Sequence, residues 1–176
     1  MIIGIVAMRA LIVAVDEESG IGKQGDIPWY FTEDMKYFSQ TTRGGICIMG
    51  RKTYQDIINK MGVDKVRERN MLLPKRVCIV ITSLPQEQVH GATAVNGFQE
   101  ALGAVPEGYD LFFTGGASIY RDCLPFIDTA LITKVPGTHD CDVTIPEVVN
   151  HVTNNFALVE ETKSESGLVF TKYNRN

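Results

Sequence analysis

Residues 44–61 read GGICIMGRKTYQDIINKM, and this stretch indicates the fold class. GGICIMG is a short, continuous apolar run, which is typical of a strand that is buried on both faces of a sheet. Behind it, in KTYQDIINKM, the apolar residues Tyr54, Ile57, Ile58 and Met61 recur at helical spacing. A buried strand that leads directly into an amphipathic helix indicates an α/β protein.

The same alternation of strand and helix runs through the rest of the chain. Further strands are predicted at ALIVAV (10–15), VCIVITS (77–83), DLFFTGG (110–116) and ALITKV (130–135). Further helices are predicted at TEDMKYFSQTT (32–42), with Thr32 as its N-cap, at GFQEALGAV (97–105) and at ASIYRDCLP (117–125). The tail, 156–174, alternates around Ser-Glu-Ser-Gly, as an antiparallel hairpin does. We therefore expect a mostly parallel sheet with helices on its faces and an antiparallel C-terminal edge.

The composition is that of one folded domain, and it excludes some function classes. The 176 residues are 44% apolar and carry a net charge of −4, so the chain has no basic field that would attract nucleic acid. The four cysteines contain no CxxC pair, and neither they nor the three histidines have the spacing of metal ligands. Free thiols in a reducing cytoplasm, no metal, no membrane partner and a monomeric state are the expectations.

The apolar N-terminus leaves one question open. Arg9 interrupts it before it reaches the roughly 20 apolar residues that a membrane helix needs. It also lacks the basic start of a signal peptide. Both IIGIVA (2–7) and ALIVAV (10–15) are candidates for a central strand. Farther along, the charged region 60–72 predicts an exposed loop or a short helix.

Three predicted strands end in turns that suit phosphate binding, and these turns are Gly50-Arg51-Lys52-Thr53, Thr82-Ser83 and Gly115-Gly116-Ala117-Ser118. In an open α/β sheet, ligands bind at the carboxyl ends of strands, and the following helix offers free N–H groups to a phosphate. Arg51 and Lys52 add charge that suits a phosphomonoester, which favours NADP over NAD. Because the GxGxxG fingerprint is absent, a tight turn without a ligand is the alternative at each glycine site.

A carboxylate stands on the apolar side of the predicted helix 32–42. In DIPWYFTEDMKYF (26–38), Asp34 shares a helix face with Phe38, four residues later. An acid in the first turn of a helix favours the helix dipole, and this is the simpler explanation for both Glu33 and Asp34. Glu33 is predicted to face water, whereas the position of Asp34 also suits a functional acid.

Three motifs together, PW-x4-D (28–34), MGRKTY (49–54) and GG-x3-Y (115–120), resemble the dihydrofolate reductase family, over residues 8–176. The resemblance implies a single three-layer α/β domain over 1–176, with an eight-stranded sheet and 1–7 as an N-terminal extension. It implies hydride transfer from NADPH to C6 of 7,8-dihydrofolate and protonation of N5, which supports one-carbon metabolism and thymidylate synthesis. Antifolates such as trimethoprim or methotrexate are implied as inhibitors.

The resemblance assigns Asp34 to the pterin, whose 2-amino group and N3–H can both donate to one carboxylate. An apolar wall raises the pKa of such an acid. Thr133 would hydrogen-bond this acid and a pterin-bound water, and Trp29 would anchor a mobile lid, 16–31, and bind a water near the pterin. Asp34, Trp29 and Thr133 form the implied catalytic set. The other implied substrate contacts are Ile12, Val13, Ala14, Ile27, Met35, Phe38, Ile57, Leu73, Arg76, Thr114 and Tyr120, with Arg76 on the folate α-carboxylate.

The implied NADPH contacts are the three turns and their flanks, namely Ala14, Ile21, Gly22, Gly50, Arg51, Lys52, Thr53, Thr82, Ser83, Thr114, Gly115, Gly116, Ala117, Ser118, Ile119 and Tyr120. Ser83 and Arg51 would hold the 2′-phosphate, the Gly115–Gly116 peptide would be cis, and Asp142 would steady the lid. Two alternatives stay open. One is a reductase of the same fold that acts on a pyrimidine of riboflavin synthesis, which need not have PW-x4-D. The other is a non-catalytic nucleotide-binding or pteridine-binding module.

Overall fold

The computed structural model describes residues 7–176, so the candidate strand 2–7 and the predicted extension lie outside the described residues except for Ala7. The strands are β1 (Arg9–Val15), β2 (Gly20–Gly22), β3 (Ile46–Gly50), β4 (Val77–Ile81), β5 (Thr93–Val95), β6 (Leu111–Phe113), β7 (Thr129–Lys134), β8 (Val143–Thr144), β9 (Phe156–Lys163) and β10 (Val169–Arg175). The helices are α1 (Thr32–Thr42), α2 (Arg51–Met61), α3 (Val63–Arg69), α4 (Phe98–Gly103), α5 (Ala117–Cys123) and α6 (Pro146–Asn155).

One large sheet carries the fold, with eight strands in the order β5-β4-β3-β6-β1-β7-β10-β9. The six strands from β5 to β7 run parallel. β10 pairs antiparallel with both β7 and β9, so the C-terminal hairpin forms the antiparallel edge, as predicted, with β9 outermost. β1 lies between β6 and β7, and residues 10–15 therefore supply a central strand. β2 and β8 form a separate two-stranded sheet.

Helices cover both faces of the large sheet and enclose two hydrophobic cores. Successive residues of a buried strand point to opposite faces, so Phe112 and Phe113 fill different cores although both are fully buried. Phe112 packs on the side of α1, α2 and α3, and Phe113 packs on the side of α4, α5 and α6. Burying each ring contributes about 1.5–3 kcal/mol to folding. This arrangement confirms the predicted three-layer α/β fold.

One local prediction is wrong, and a second is confirmed but incomplete. Thr32 does not cap α1, because it is the first helical residue and Phe31 occupies the N-cap without a side-chain hydrogen bond. The region 60–72 is a short helix, one of its two predicted forms, but it is not simply exposed. Val66 of α3 and Leu72 have no exposed surface, and they pack into the core beneath α2. This charged segment therefore contributes two buried side chains to the core.

Several described elements carry no prediction from the sequence. β2 and β5 have three residues each and β8 has two, which is too short for a hydrophobic period to show. α6 has a proline in its first turn and buries Val148 and Val152 at i,i+4, and this signal could have found it. None of the described helices is long and apolar enough to cross a membrane.

The docking of α3 can be tested with Val66→Ala. We expect the substitution to lower the free energy of unfolding by about 1–3 kcal/mol, because it leaves a cavity in a fully packed site. The matched control is Val159→Ala on the edge strand β9, where the side chain is 48% exposed and the change should stay within about 0.5 kcal/mol. Urea unfolding measures both, and equal losses in the two variants would show that α3 is not part of the core.

Candidate active site

Asp34 lies on the inner side of α1, above the middle of the large sheet. The hydroxyl of Thr133, on β7, lies close enough to its carboxyl group to lower the pKa of Asp34. Thr133 is itself buried, and it stands in register with Ala14 of β1 and Phe170 of β10. The structure therefore brings together the predicted acid and the predicted threonine, which are separated by almost a hundred residues in the chain.

The surroundings of Asp34 change its acidity. Burial raises the pKa of its carboxyl group above the ordinary value, and the hydrogen bond from Thr133 offsets part of that rise. The same negative charge also acts on Tyr120. Burial raises the pKa of that phenol, and the nearby charges of Cys123 and Asp34 raise it further. Asp34 is thus a poorly hydrated acid that favours its neutral form more than a surface aspartate does.

The floor of the pocket is formed by β1. Ile12 and Ala14 share the face of the sheet that α1 covers, and Ala14 is only half-buried while Val13 and Val15 beside it are buried. Val13 points the other way, into the core beneath α5. Because side chains alternate along a strand, the substrate contact predicted at Val13 would have to come from its backbone, and it stays a prediction.

A hydrophobic slot leads away from Asp34 between α1 and α2. Phe38 and Ile57 pack against the apolar cluster that contains Leu73, so three of the predicted substrate contacts lie together. Met35 and Ile27 lie at the rim, where their side chains are 55% and 51% exposed. These two residues can close over a ligand but do not form the slot itself.

Arg76 lies at the far end of this slot. Its side chain is buried, and its guanidinium lies 5.9 Å from the centre of the Phe38 ring. Nε donates to the Pro74 carbonyl at 2.9 Å, and Nη1 donates to Thr42 Oγ1 at 3.3 Å. Burial lowers its pKa, and no carboxylate among residues 7–176 forms an ion pair with it. A buried cation with only neutral partners is suited to receive an anion.

Trp29 closes the pocket from the lid side. Its indole Nε1 is buried and has no hydrogen-bond acceptor among the described residues. A buried N–H without an acceptor costs about 1–3 kcal/mol, so such groups are uncommon unless a ligand or water serves them. The ring lies edge-on to His139, with ring centroids 5.1 Å apart. This orphaned donor is consistent with the prediction that Trp29 serves a group inside the pocket.

The predicted phosphate-binding turns meet at one edge of the sheet. They follow the neighbouring strands β4, β3 and β6, whose carboxyl ends lie side by side. The Gly50 N–H donates to the Gly115 carbonyl at 2.8 Å, which ties two of the turns together. The Gly115–Gly116 peptide is cis, as the resemblance implied. A Cβ at Gly115, whose φ is +115°, would meet the Tyr120 ring at 3.2 Å, so no larger residue fits there.

The predicted residues of these turns differ in exposure. Arg51, Lys52, Ser83 and Ser118 are exposed, and Thr53, Thr114, Gly116 and Ala117 are half-buried. Ile119 and Tyr120 are buried in the core, and the Tyr120 hydroxyl donates to the Ile12 carbonyl at 2.8 Å. These two side chains support the turn from below, and the ligand contacts predicted for them stay predictions. The Thr82 hydroxyl accepts the Leu84 N–H at 3.0 Å and shapes its own turn.

The lid, residues 16–31, is held on two sides. The Asp142 carboxylate accepts the Gln24 N–H at 2.9 Å, and the Asp142 N–H donates to the Gly22 carbonyl at 3.0 Å, which is the lid-steadying role predicted for Asp142. On the opposite side, Lys60 of α2 forms an ion pair with Asp26 at 2.9 Å. Ile21 packs against the core on the α5 side. The lid thus spans the entrance between β8 and α2.

Sequence reasoning missed the residues that fix the base of the lid. Asp16 is buried and accepts the backbone N–H groups of Glu18 and Gly20 at 2.9 and 2.8 Å, and that of His139 at 2.9 Å. Burial alone would raise the pKa of Asp16, but these backbone donors hold it below the ordinary value. An acid directly after the central strand was the only sequence signal, because His139 lies more than a hundred residues away.

The fold and the site define a class of protein: an α/β domain built on one large sheet, with glycine-rich turns at the carboxyl edge of the sheet and a half-buried acid nearby. The family model described as dihydrofolate reductase matches residues 8–175, and the chain belongs to the dihydrofolate reductase family. It is 34% identical to the dihydrofolate reductase of Bacillus subtilis over 80% of this chain and 76% of that one. It is 31% identical to dihydrofolate reductase HdrB of Haloferax volcanii over 78% and 70%.

A solved structure shares the whole architecture. The dihydrofolate reductase of Enterococcus faecalis, complexed with NADP(H) and RAB-propyl, superimposes with a TM-score of 0.77 at 27% identity. The match covers 96% of each chain. The family and the fold that the motifs predict are therefore confirmed.

The ion pair between Lys60 and Asp26 can be tested with Lys60→Met. Because an exposed ion pair contributes up to about 1 kcal/mol, we expect amide hydrogen exchange at residues 23–28 to become roughly two- to five-fold faster. High salt should speed exchange in the unsubstituted protein by a similar factor. Lys65→Met on α3, an exposed lysine, is the control and should leave these amides unchanged. Equal exchange in all three proteins would show that the pair does not hold the lid.

Proposed function

We propose that this chain reduces 7,8-dihydrofolate to 5,6,7,8-tetrahydrofolate with NADPH, and that Asp34 is the ionisable group that binds and polarises the pterin. The observation that carries the proposal is the placement of this half-buried acid beside Thr133, between an apolar slot and the phosphate-binding edge. Family membership supports the same activity. The single domain is proposed to extend over 1–176, in the cytoplasm and as a monomer.

The carboxylate of Asp34 suits the donor pair of a dihydropterin. The pterin 2-amino group and ring N3–H lie side by side, and both oxygens of one carboxylate can accept them. The poorly hydrated surroundings strengthen this pair of hydrogen bonds, because little water competes for the carboxylate. Thr133 fixes the position of the acid from below. Since Asp34 faces that side of the ring, the proton that N5 needs travels through water, which the negative charge of Asp34 favours.

The slot beyond Asp34 suits the rest of a folate. Phe38, Ile57 and Leu73 offer apolar surface to the aminobenzoyl ring. The guanidinium of Arg76, which has no acidic partner among the described residues, suits the planar α-carboxylate of the glutamate. Ile27 and Met35 at the rim suit an enclosing role. Antifolates such as trimethoprim and methotrexate are proposed to compete for the same acid and slot.

The residues at the phosphate-binding edge fit a dinucleotide. Gly50 and Gly115 are joined by a backbone hydrogen bond, and Gly115 has no room for a side chain. The 11-residue helix α2 presents its N-terminus to this edge. Exposed Arg51 and Ser83 suit the 2′-phosphate that distinguishes NADPH from NADH. When bound there, NADPH supplies the hydride, and the protein contributes alignment of the two rings and exclusion of water.

Asp34→Asn tests the central residue. We expect kcat/KM for dihydrofolate to fall by about 10²- to 10⁴-fold at pH 7, because the amide cannot accept both pterin donors as an anion does. Loss of NADPH absorbance at 340 nm measures the rate. Glu33→Gln, which changes the neighbouring acid on the same helical turn, is the control and should keep the activity. An unaltered rate in Asp34→Asn would remove this residue from its role.

The same substitution should stabilise the unliganded protein. The folded-state pKa of Asp34 lies above that of the unfolded chain, so stability due to its protonation is present at low pH. That stability is lost as the pH rises through the raised pKa, and at pH 7 the ionised carboxylate opposes folding. The urea midpoint of Asp34→Asn should therefore exceed that of the parent at pH 7, with a smaller difference at pH 4. A urea midpoint of Asp34→Asn below that of the parent at pH 7 would contradict the claim that the ionised Asp34 carboxylate opposes folding.

Cofactor choice is tested with Arg51→Ala. Removing a charged hydrogen bond to the 2′-phosphate should raise KM for NADPH about 10- to 100-fold and leave the weak use of NADH unchanged. Arg9→Ala is the control, because Arg9 is exposed at the amino end of β1, away from the edge where the turns meet. Equal effects of Arg51→Ala on the two cofactors would argue against a 2′-phosphate contact.

A further inference from the structure

The structure contains an unassigned histidine beside the one tryptophan of the chain. The rings of His139 and Trp29 meet edge-on, with centroids 5.1 Å apart and an interplanar angle of 64°. Trp29 lies at the end of the lid and just before α1, whereas His139 lies in the loop between β7 and β8. The contact therefore joins two segments that border the pocket from different parts of the sheet.

His139 is fixed from two directions. Its backbone N–H donates to Asp16 Oδ2 at 2.9 Å, and its ring Nε2 lies 3.0 Å from the Pro136 carbonyl oxygen. Since a carbonyl can only accept, this contact requires Nε2 to carry the proton. The other oxygen of Asp16 accepts the Gly20 N–H at 2.8 Å, so one carboxylate ties the start of the lid to the His139 loop. The imidazole is thus a well-anchored surface for a neighbouring ring.

The Trp29 ring needs a packing contact to set its angle, because no described residue hydrogen-bonds its polar group. Its Nε1 is buried and has no acceptor among residues 7–176, so no intramolecular hydrogen bond orients the indole. Edge-to-face aromatic contacts have a preferred geometry and can set the angle of a ring. His139 is the aromatic residue that makes this contact with Trp29 in the described part of the chain.

We propose that His139 is a positioning residue, whose imidazole holds the Trp29 indole at the angle that directs Nε1–H into the pocket beside Asp34. This inference rests on the proposed function, in which Trp29 serves a water near the pterin. His139 itself touches neither substrate nor cofactor. It acts by keeping a donor in place before the ligand arrives, and the anchor is Asp16 at the base of the lid.

The test compares His139→Phe with His139→Leu. Both side chains fill the space, but only phenylalanine keeps an aromatic edge for Trp29. We expect His139→Leu to lower kcat for dihydrofolate by about 3- to 10-fold with KM within two-fold, because a misplaced donor impairs the reacting complex more than binding. His139→Phe should recover most of the rate. Thermal melts verify that both variants are folded.

The control is His151→Leu. His151 makes a similar edge-on contact with Phe156, at the same 64° angle and a centroid distance of 6.4 Å, but on α6 away from the pocket. This variant should keep the parent kcat. This control shows whether a fall in kcat follows from losing any histidine–aromatic contact or only from losing the contact between His139 and Trp29.

Fluorescence gives a readout that does not depend on turnover. Trp29 is the one tryptophan in the sequence, so all indole emission reports its surroundings. In unliganded protein, His139→Leu should shift the emission maximum and increase acrylamide quenching, whereas His139→Phe and His151→Leu should not. If the three variants match the parent in emission, or if Leu and Phe at 139 reduce kcat equally, the positioning role is wrong. Failure of the parent to turn over dihydrofolate would refute the proposed function, while the emission comparison would still decide the orientation of Trp29.

Discussion

The carboxyl group of Asp34 is half-buried, and this burial raises its pKa. Thr133 offers it a hydroxyl from a strand that lies almost central in the sheet. Because burial raises the pKa of this acid more than the hydroxyl lowers it, the unliganded protein holds an acid that is not fully stabilised. A ligand that donates two hydrogen bonds to the carboxylate supplies the stabilisation of the anion that the protein alone does not provide. In the proposed function, recognition of the pterin would draw on an unfavourable burial that folding has already imposed.

The sheet topology brings the two halves of the site together. β1 lies next to β7, which carries Thr133, and next to β6, which ends at the Gly115 turn. The Gly50–Gly115 hydrogen bond then links the β3 and β6 turns into one surface. In the proposed function, a substrate over β1 and a dinucleotide at the strand ends would therefore meet over Ala14, the half-buried residue of that strand. The lid covers this meeting point, held by Asp142 on one side.

The fold could be predicted from sequence because its signals are local. Continuous apolar runs mark the buried parallel strands, and the tail alternates as an exposed hairpin does. The sequence says less where direction or distance matters. The side chains of Val13, Ile119 and Tyr120 lie in correctly predicted elements and point into the core, and a motif gives the position of a residue but not the face of the sheet. The segment around Val66 is rich in charged residues, and the sequence therefore predicts an exposed position. Its few apolar residues are nevertheless enough to dock it on the core.

Candidate site residues could be named from the sequence where they belong to short motifs, as with Asp34 and the glycine turns. Apart from Asp142, the supports of the lid could not, because each depends on a contact between distant parts of the chain. Asp16 binds the backbone of His139, and Lys60 meets Asp26 only after α2 has packed beside the lid. Backbone acceptors and exposed ion pairs have no periodic signature in a sequence. They follow from the fold and can be found only once it is known.

The most direct measurement is the carboxyl titration of Asp34 by ¹³C NMR in protein labelled at aspartate, with Asp34→Asn to assign the signal. In the unliganded protein, the account predicts a pKa above that of a surface aspartate, and a higher one still in Thr133→Val, since that variant lacks the hydroxyl that lowers it. Saturation with folate should move the pKa downward, because two donors then favour the carboxylate. An ordinary pKa that neither the Thr133 substitution nor folate alters would contradict the account.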